Sequence, residues 1–202
     1  MITSYQITCS KVSAELFQKR TNNNTTTPNN NTTNNITNKK EEEITKKNII
    51  REEEIRTNKT EEEIIREYFQ CILDNVKLFN NFDVLGHLDY AVRYAPETDK
   101  NYNYLKYKDL IDPILETVIE KGKGIEINTA GIRKYYLKDV HPTTDIIKRY
   151  KELGGEIITV GSDAHTAGWE ATDFHRAEEA LKAAGFDYYC TFENRIATFN
   201  KF

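Results

Sequence analysis

The stretch FDVLGHLDY, Phe82 to Tyr90, decides how this 202-residue chain is read. Phe82, Val84 and Leu85 form a short apolar run of strand length, which breaks at Gly86 into a polar loop carrying His87 and Asp89. A run that is apolar at successive positions is how a buried strand of a parallel sheet reads. Downstream the pattern recurs. GIEIN, Gly124 to Asn128, follows a helical stretch near Leu110 to Glu120, with Pro113 expected near its first turn and KGKG as its exit. EIITV, Glu156 to Val160, follows a helix from about Thr144 to Leu153 that stops at Gly154 and Gly155, and it runs into GSDAH. A helix near Asp173 to Ala184 closes on Gly185 and leads to a last strand around Tyr188 to Phe192.

Strands alternating with helices through short glycine-punctuated turns predict an α/β fold, with βα units around a parallel sheet that is either open or closed into a barrel. A closed eight-stranded barrel takes about 250 residues, and the ordered-looking region here is little more than half of that. Part of a barrel would leave sheet edges unpaired, and self-association is one way to cover them.

Order is expected to begin at Thr60, which with Glu63 makes a capping box ahead of Ile64, Ile65, Tyr68, Phe69, Ile72, Leu73, Val76 and Phe79. That spacing predicts an amphipathic helix. Before it lie two polar segments. Thr21 to Asn38 is almost wholly Asn and Thr, side chains that bury little apolar area, and is expected to be disordered. Lys39 to Glu67 is charge-dense and repeats EEEI from Glu41, Glu52 and Glu61, an irregular spacing that fits a charged linker better than a solenoid. The chain therefore divides into a low-complexity region over 1–59 and a folded α/β unit over 60–202.

Composition removes several classes of function. The formal charge of −4 and isoelectric point near 5.7 supply no basic field for a nucleic acid. Cys9, Cys71 and Cys190 are scattered and odd in number, which fits a reduced, cytoplasmic setting rather than a disulfide framework. No basic segment leads into a long apolar stretch and no run approaches about 18 apolar residues, so neither secretion nor a membrane partner is expected.

In parallel α/β folds, functional side chains gather at the carboxyl ends of strands. His87 and Asp89 follow the first strand, Asn128 ends the second, and Ser162, Asp163 and His165 follow the third. Asp163 and His165, two apart in an irregular loop, can turn an oxygen and a nitrogen toward one cation, and such a mixed set suits Zn, Mn or Fe better than Ca. Taken singly, each has a plain structural alternative: an Asp capping a turn, or a His satisfied by packing. Arg93 and Arg133 follow the first two strand ends and have the geometry for a bidentate phosphate clamp, though exposed loop arginines often only solvate. Tyr90 and Trp169 either wall a substrate ring or pack in the core or at the rim. His141, before Pro142, and His175, in a charged helix, are expected to be structural or solvent-facing.

Four blocks in this order, FDVLGHLDYAVRY, GKGIEINTAGIRK, ELGGEIITVGSDAH and AAGFDYYCTFENR, resemble the histidinol-phosphatases of the PHP (polymerase and histidinol phosphatase) family from roughly Tyr68 to Phe202. The resemblance implies a distorted (βα)7 TIM-like barrel, of which these blocks supply the C-terminal βα units. It also implies a trinuclear centre of divalent metal ions and hydrolysis of a small phosphate ester, L-histidinol phosphate, to L-histidinol in histidine biosynthesis. Position by position, it makes His87, Asp163 and His165 metal ligands acting through metal-bound water, and Arg93 and Arg133 phosphate-binding residues.

The family's opening His-x-His, and the later His and Glu that also bind metal, have no counterpart before His87. Three expectations follow from that gap: a shortened product of a phosphatase gene, a relative that binds a ligand or partner without catalysis, or a site completed by another chain. A PHP phosphoesterase acting on a different phosphate ester is a further alternative.

Overall fold

The computed structural model describes residues 6–7, 59–94, 102–133 and 138–202. The Asn/Thr tract and the first two EEEI tetrads lie outside the described residues. The third opens the first helix.

Helix α1 (Glu61–Leu78) starts where the capping box places it: Thr60 Oγ1 accepts from Glu63 N at 3.3 Å, and Glu63 returns a bond from Thr60 N at 2.7 Å. Its apolar stripe, Ile64, Ile65, Tyr68, Phe69, Ile72, Leu73 and Val76, is buried. At roughly 1.5–3 kcal/mol for each large side chain withdrawn from water, that stripe and not helix propensity holds the helix in place.

Strand β1 is Gln6–Ile7, β2 is Val84–Leu85, β3 is Gly124–Asn128 and β4 is Ile158–Gly161. They form one parallel sheet in the order β1-β2-β3-β4. Leu85, Ile125 and Ile158 lie abreast in the register and are buried, making one apolar row across the sheet. The opposite face carries Glu126 abreast of Thr159 and Asn128 abreast of Gly161. Gly124 is held against β4 so closely that a Cβ there would stand 2.5 Å from the Ile157 carbonyl oxygen.

Helices α2 (Lys108–Glu120), α3 (Ala130–Arg133), α4 (Thr144–Glu152) and α5 (Phe174–Ala183) complete the unit, with 3-10 turns at Tyr90–Tyr94, Tyr104–Tyr107 and Ala167–Trp169. The long helices pack in chain order, α1 on α2, α2 on α4 and α4 on α5, while α2 rests on β3 and α5 on β4. Pro113 lies inside α2 rather than in its first turn, because the helix begins at Lys108, two residues ahead of the expected start.

Two strand expectations need correction. Tyr188 to Phe192 is a strand, β5 (Tyr188–Glu193), but it does not extend the parallel sheet. It pairs antiparallel with β6 (Ile196–Lys201) through Asn194 and Arg195, whose φ values of 49° and 67° suit a two-residue hairpin turn of the kind that matches strand twist. The fourth parallel strand is instead β1, near the N-terminus. The hairpin lies at the amino-terminal end of the sheet: Tyr188 Oη donates to Glu156 O at 3.0 Å, and Arg195 grips Asp83, just before β2, with Nε and a terminal nitrogen at 2.9–3.2 Å.

Candidate functional site

The carboxyl ends of β2, β3 and β4 place His87, Asn128 and Asp163 around the same end of the sheet. His87 follows Gly86 with φ at 54°, a left-handed backbone that costs a non-glycine residue about 1–2 kcal/mol. Its carbonyl is held by the Tyr68 hydroxyl at 2.5 Å and by Tyr90 N at 3.1 Å. The imidazole lies 4.9 Å from the Tyr90 ring, and its Nδ1 is buried without a hydrogen-bond partner. Burial lowers the pKa of His87; nearby Asp163 and Asp89 oppose the shift, while His141 and Arg93 reinforce it. These influences place Asp163 and Arg93 within electrostatic reach of the ring.

Asp163 also has a left-handed backbone, with φ at 48°, and is partly exposed. His165 Nε2 stands 3.5 Å from Asp163 Oδ1, but the imidazole is 86% exposed, so the D-x-H pair meets at the rim and only Asp163 reaches inward. Arg93 donates to the Tyr90 hydroxyl, and its guanidinium lies 4.9 Å above the Tyr90 ring. Tyr90 thereby contacts both Arg93 and His87. Arg133 is the last residue of α3, directly after β3; its side chain lies outside the described residues. Trp169 is half exposed in the 3-10 turn after His165, at the rim rather than in the core.

Asn128 does structural work. Its Oδ1 accepts from Ala130 N at 2.9 Å at the start of α3, and its main chain exchanges two hydrogen bonds with His141. His175 is exposed on α5, whereas His141 is buried. Cys190 is buried and Cys71 half-buried, and burial pushes the Cys190 thiol above its usual pKa, which leaves it a poor nucleophile. The pocket lined by Tyr150, Gly155 and Glu156 opens at the other, amino-terminal ends of β3 and β4, away from every candidate residue.

Two features escaped the motifs. Glu126 shares the site-facing side of β3 with Asn128, and its Oε1 lies 2.5 Å from where a Cβ on Gly161 would stand. The period-two alternation of GIEIN carries that signal. The second is a buried pair, Asp89 and His141, 52 residues apart and joined at 2.6 Å. No local spacing reveals it.

An orphaned buried imidazole nitrogen beside a carboxylate is the donor chemistry of a borderline divalent cation. The residues present fit part of such a centre. Among the described residues, no group of three or more His, Cys, Asp and Glu side chains is gathered tightly enough to hold a metal ion.

The PHP domain family model matches residues 14–130, and the chain belongs to that family. The match begins well before the first of the four motif blocks. The chain is 35% identical over 148 residues to the histidinol-phosphatase of Lactococcus lactis subsp. lactis, covering 73% of this chain and 54% of that protein. It is 33% identical over 144 residues to a probable histidinol-phosphatase of Thermotoga maritima, covering 70% and 57%. Among solved structures it is similar to the Lactococcus lactis histidinol phosphate phosphatase crystallised with Zn, L-histidinol and phosphate, with a TM-score of 0.60, 35% identity and coverage of 70% of this chain and 53% of that one. The chain spans about half the length of the curated relatives it matches.

Proposed function

We propose that this chain is a metal-dependent phosphomonoesterase of the histidinol-phosphatase type, which hydrolyses L-histidinol phosphate to L-histidinol and phosphate. The observation that carries the reading is His87: a half-buried imidazole whose Nδ1 is buried and unsatisfied, within electrostatic reach of Asp163 across β3. The relatives' names and the ligands of the solved relative support the choice of substrate.

The sheet is then part of the wall of a distorted (βα)7 barrel. Strand order follows chain order and the helices pack successively on one another, which is the arrangement of a singly wound wall. A doubly wound sheet reverses its strand order at a switch point. The folded unit is assigned to 60–202, joined by β1.

His87 and Asp163, with His165 turned inward from its exposed place at the rim, would hold a divalent cation, Zn, Mn or Fe, which when bound supplies a Lewis acid and an activated water for attack on phosphorus. Burial keeps the His87 imidazole neutral near pH 7, so its lone pair is available. Arg93, steadied by Tyr90, and Arg133 offer guanidinium groups to phosphate oxygens. Trp169 and Tyr90 border the space a substrate ring would occupy. Among the described residues no helix is long and apolar enough to cross a membrane, and a biosynthetic role of this kind fits the cytoplasm.

The test is phosphate release from L-histidinol phosphate by the folded chain with Mn²⁺ or Zn²⁺, beside other phosphate esters and with Asp163→Asn as control. Turnover that disappears in Asp163→Asn supports the assignment. Turnover that persists in that variant refutes it, and a preference for another ester moves the substrate within the family. A second reading is a non-catalytic binding module or a site completed by another chain, and what favours it is that among the described residues no group of three or more His, Cys, Asp and Glu side chains could hold a metal ion. A folded chain without turnover, monomeric by light scattering, would leave the binding module.

A further inference from the structure

Asp89 lies two residues beyond His87, and its carboxylate is fully buried. Three donors from outside its own turn meet it. His141 Nδ1 stands 2.6 Å from Oδ1, Thr143 N donates to Oδ2 at 3.0 Å and the Tyr102 hydroxyl at 3.3 Å. A carboxylate tolerates such burial only when its lone pairs are filled. Burial, with Asp89 alongside, pushes the Tyr102 phenol well above its usual pKa, so Tyr102 stays a donor.

His141 is tied down just as fully. Its ring is 1% exposed, and its main chain exchanges hydrogen bonds of 2.6 and 2.9 Å with Asn128 at the end of β3. A Cβ on Gly131 would come within 2.9 Å of its Cδ2, so the ring lies flush on the backbone of α3. One carboxylate therefore joins the loop after β2 to the segment between α3 and α4, which His141 pins to the end of β3.

What the junction restrains is the turn at His87. That residue has a left-handed backbone and a buried, unpartnered ring nitrogen, and swinging the 87–89 turn outward would relieve both. Tyr68 and Tyr90 hydrogen-bond the His87 carbonyl, and the Tyr90 ring lies 4.9 Å from the imidazole, but neither bonds its Nδ1. Leu88 is buried in the core, and the next polar anchor along the chain is Asp89.

We propose that Asp89 and His141 are positioning residues, a buried brace between the two loops that keeps the His87 imidazole turned into the site. The proposal rests on the reading of His87 as a metal ligand. Neither residue touches the cation or the substrate; they act by denying His87 its relaxed conformation.

The test compares His141→Asn with His141→Leu in the full chain, by Zn²⁺ titration calorimetry and by long-range ¹H–¹⁵N spectra of the His87 ring without metal. An Asn amide nitrogen occupies about the place of Nδ1 and keeps the bond to Asp89, whereas Leu fills the space without a donor. His141→Asn should bind Zn²⁺ within about threefold of the parent, with unmoved His87 ring signals. His141→Leu should bind at least about tenfold more weakly, the lower end of what lost ligand support costs, with shifted ring signals. Unmoved signals in His141→Leu, or equal losses in both variants, overturn the brace. If His141→Leu does not fold, Asp89→Asn replaces it, since its amide would set a donor against a donor at Thr143 or His141; parent-like signals there overturn the proposal. If the parent chain binds no Zn²⁺, the ligand assignment fails while the metal-free spectra still decide the brace.

Discussion

Replacing Arg195 at the hairpin tip should destabilise the fold by an amount that its partner's burial sets. Arg195 places Nε and a terminal nitrogen 2.9–3.2 Å from both oxygens of Asp83 and bonds Asn81 Oδ1 at 2.6 Å. Asp83 is 6% exposed and Arg195 37%. Breaking a buried pair by removing one partner costs about 3–5 kcal/mol, because a buried charge is left uncompensated, whereas an exposed pair is worth about 0–1 kcal/mol. This pair is half of each, so Arg195→Ala should cost about 2 kcal/mol. Asp83→Asn should cost less, about 1 kcal/mol, since the guanidinium left behind still reaches water. Arg195→Gly isolates the backbone contribution: with φ at 67°, glycine should recover about 1 kcal/mol of the loss in Arg195→Ala. The assay is urea unfolding followed by far-ultraviolet circular dichroism, with midpoints compared at equal slope. A loss below 0.5 kcal/mol in Arg195→Ala, on the ~2 kcal/mol scale just derived, or a larger loss in Asp83→Asn, would show that the asymmetry of burial does not control this interaction.

Thr60→Ala should destabilise α1 by about 1 kcal/mol in the same assay, since it removes the hydroxyl that satisfies the Glu63 amide. Hydrogen bonds from the Thr60 backbone and side chain hold the Glu63 carboxyl below its ordinary pKa of 4.5, so its contribution is fully present above pH 4.5 and is lost as pH falls through the lower folded value. Acid unfolding of Glu63→Gln should accordingly be less steep below that pH than in the parent. Gly161→Ala should shift stability by less than about 1 kcal/mol, because the new methyl crowds only the carboxyl end of the flexible Glu126 side chain, with Asn128 Nδ2 at an ordinary 3.6 Å. It should nonetheless lower phosphate release by pushing that carboxylate aside, and a parent-like rate would place Glu126 outside the site.

Much of this was legible because it is local. The capping box at Thr60 and the stripe from Ile64 to Val76 placed α1 within a residue, and the glycines at 154, 155 and 185 marked where α4 and α5 stop. The parallel sheet followed from strands alternating with helices. What failed to show depends on partners far along the chain. Nothing in Tyr188 to Phe192 distinguishes a strand joining a parallel sheet from one folding back on Ile196–Lys201; the difference lies in two consecutive left-handed residues, Asn194 and Arg195, that carry no glycine to announce them. The two-residue strand β1 is too short for any periodicity. At the site, His87, Arg93 and Asp163 are legible as residues that follow strand ends, and in the fold Arg93 and Asp163 lie within electrostatic reach of the His87 ring, while the outward setting of His165 depends on how the GSDAH loop turns. Asp89 with His141 needed the tertiary structure, because a hydrogen bond spanning 52 residues leaves no mark on either neighbourhood.

The central strand also acts as a ruler. His87 and Asp163 leave the sheet from β2 and β4, with β3 hydrogen-bonded between them. Parallel strands stand about 4.8 Å apart, so the two backbones are separated by roughly 10 Å, a gap the ladder fixes and the crossover helices do not. Residues can be added or removed on the helical side of each βα unit without changing that width. A slip of β3 by one residue would instead exchange Glu126 and Asn128 for Ile125 and Ile127 on the site-facing side, so the tolerance of this architecture to length changes ends where the ladder begins.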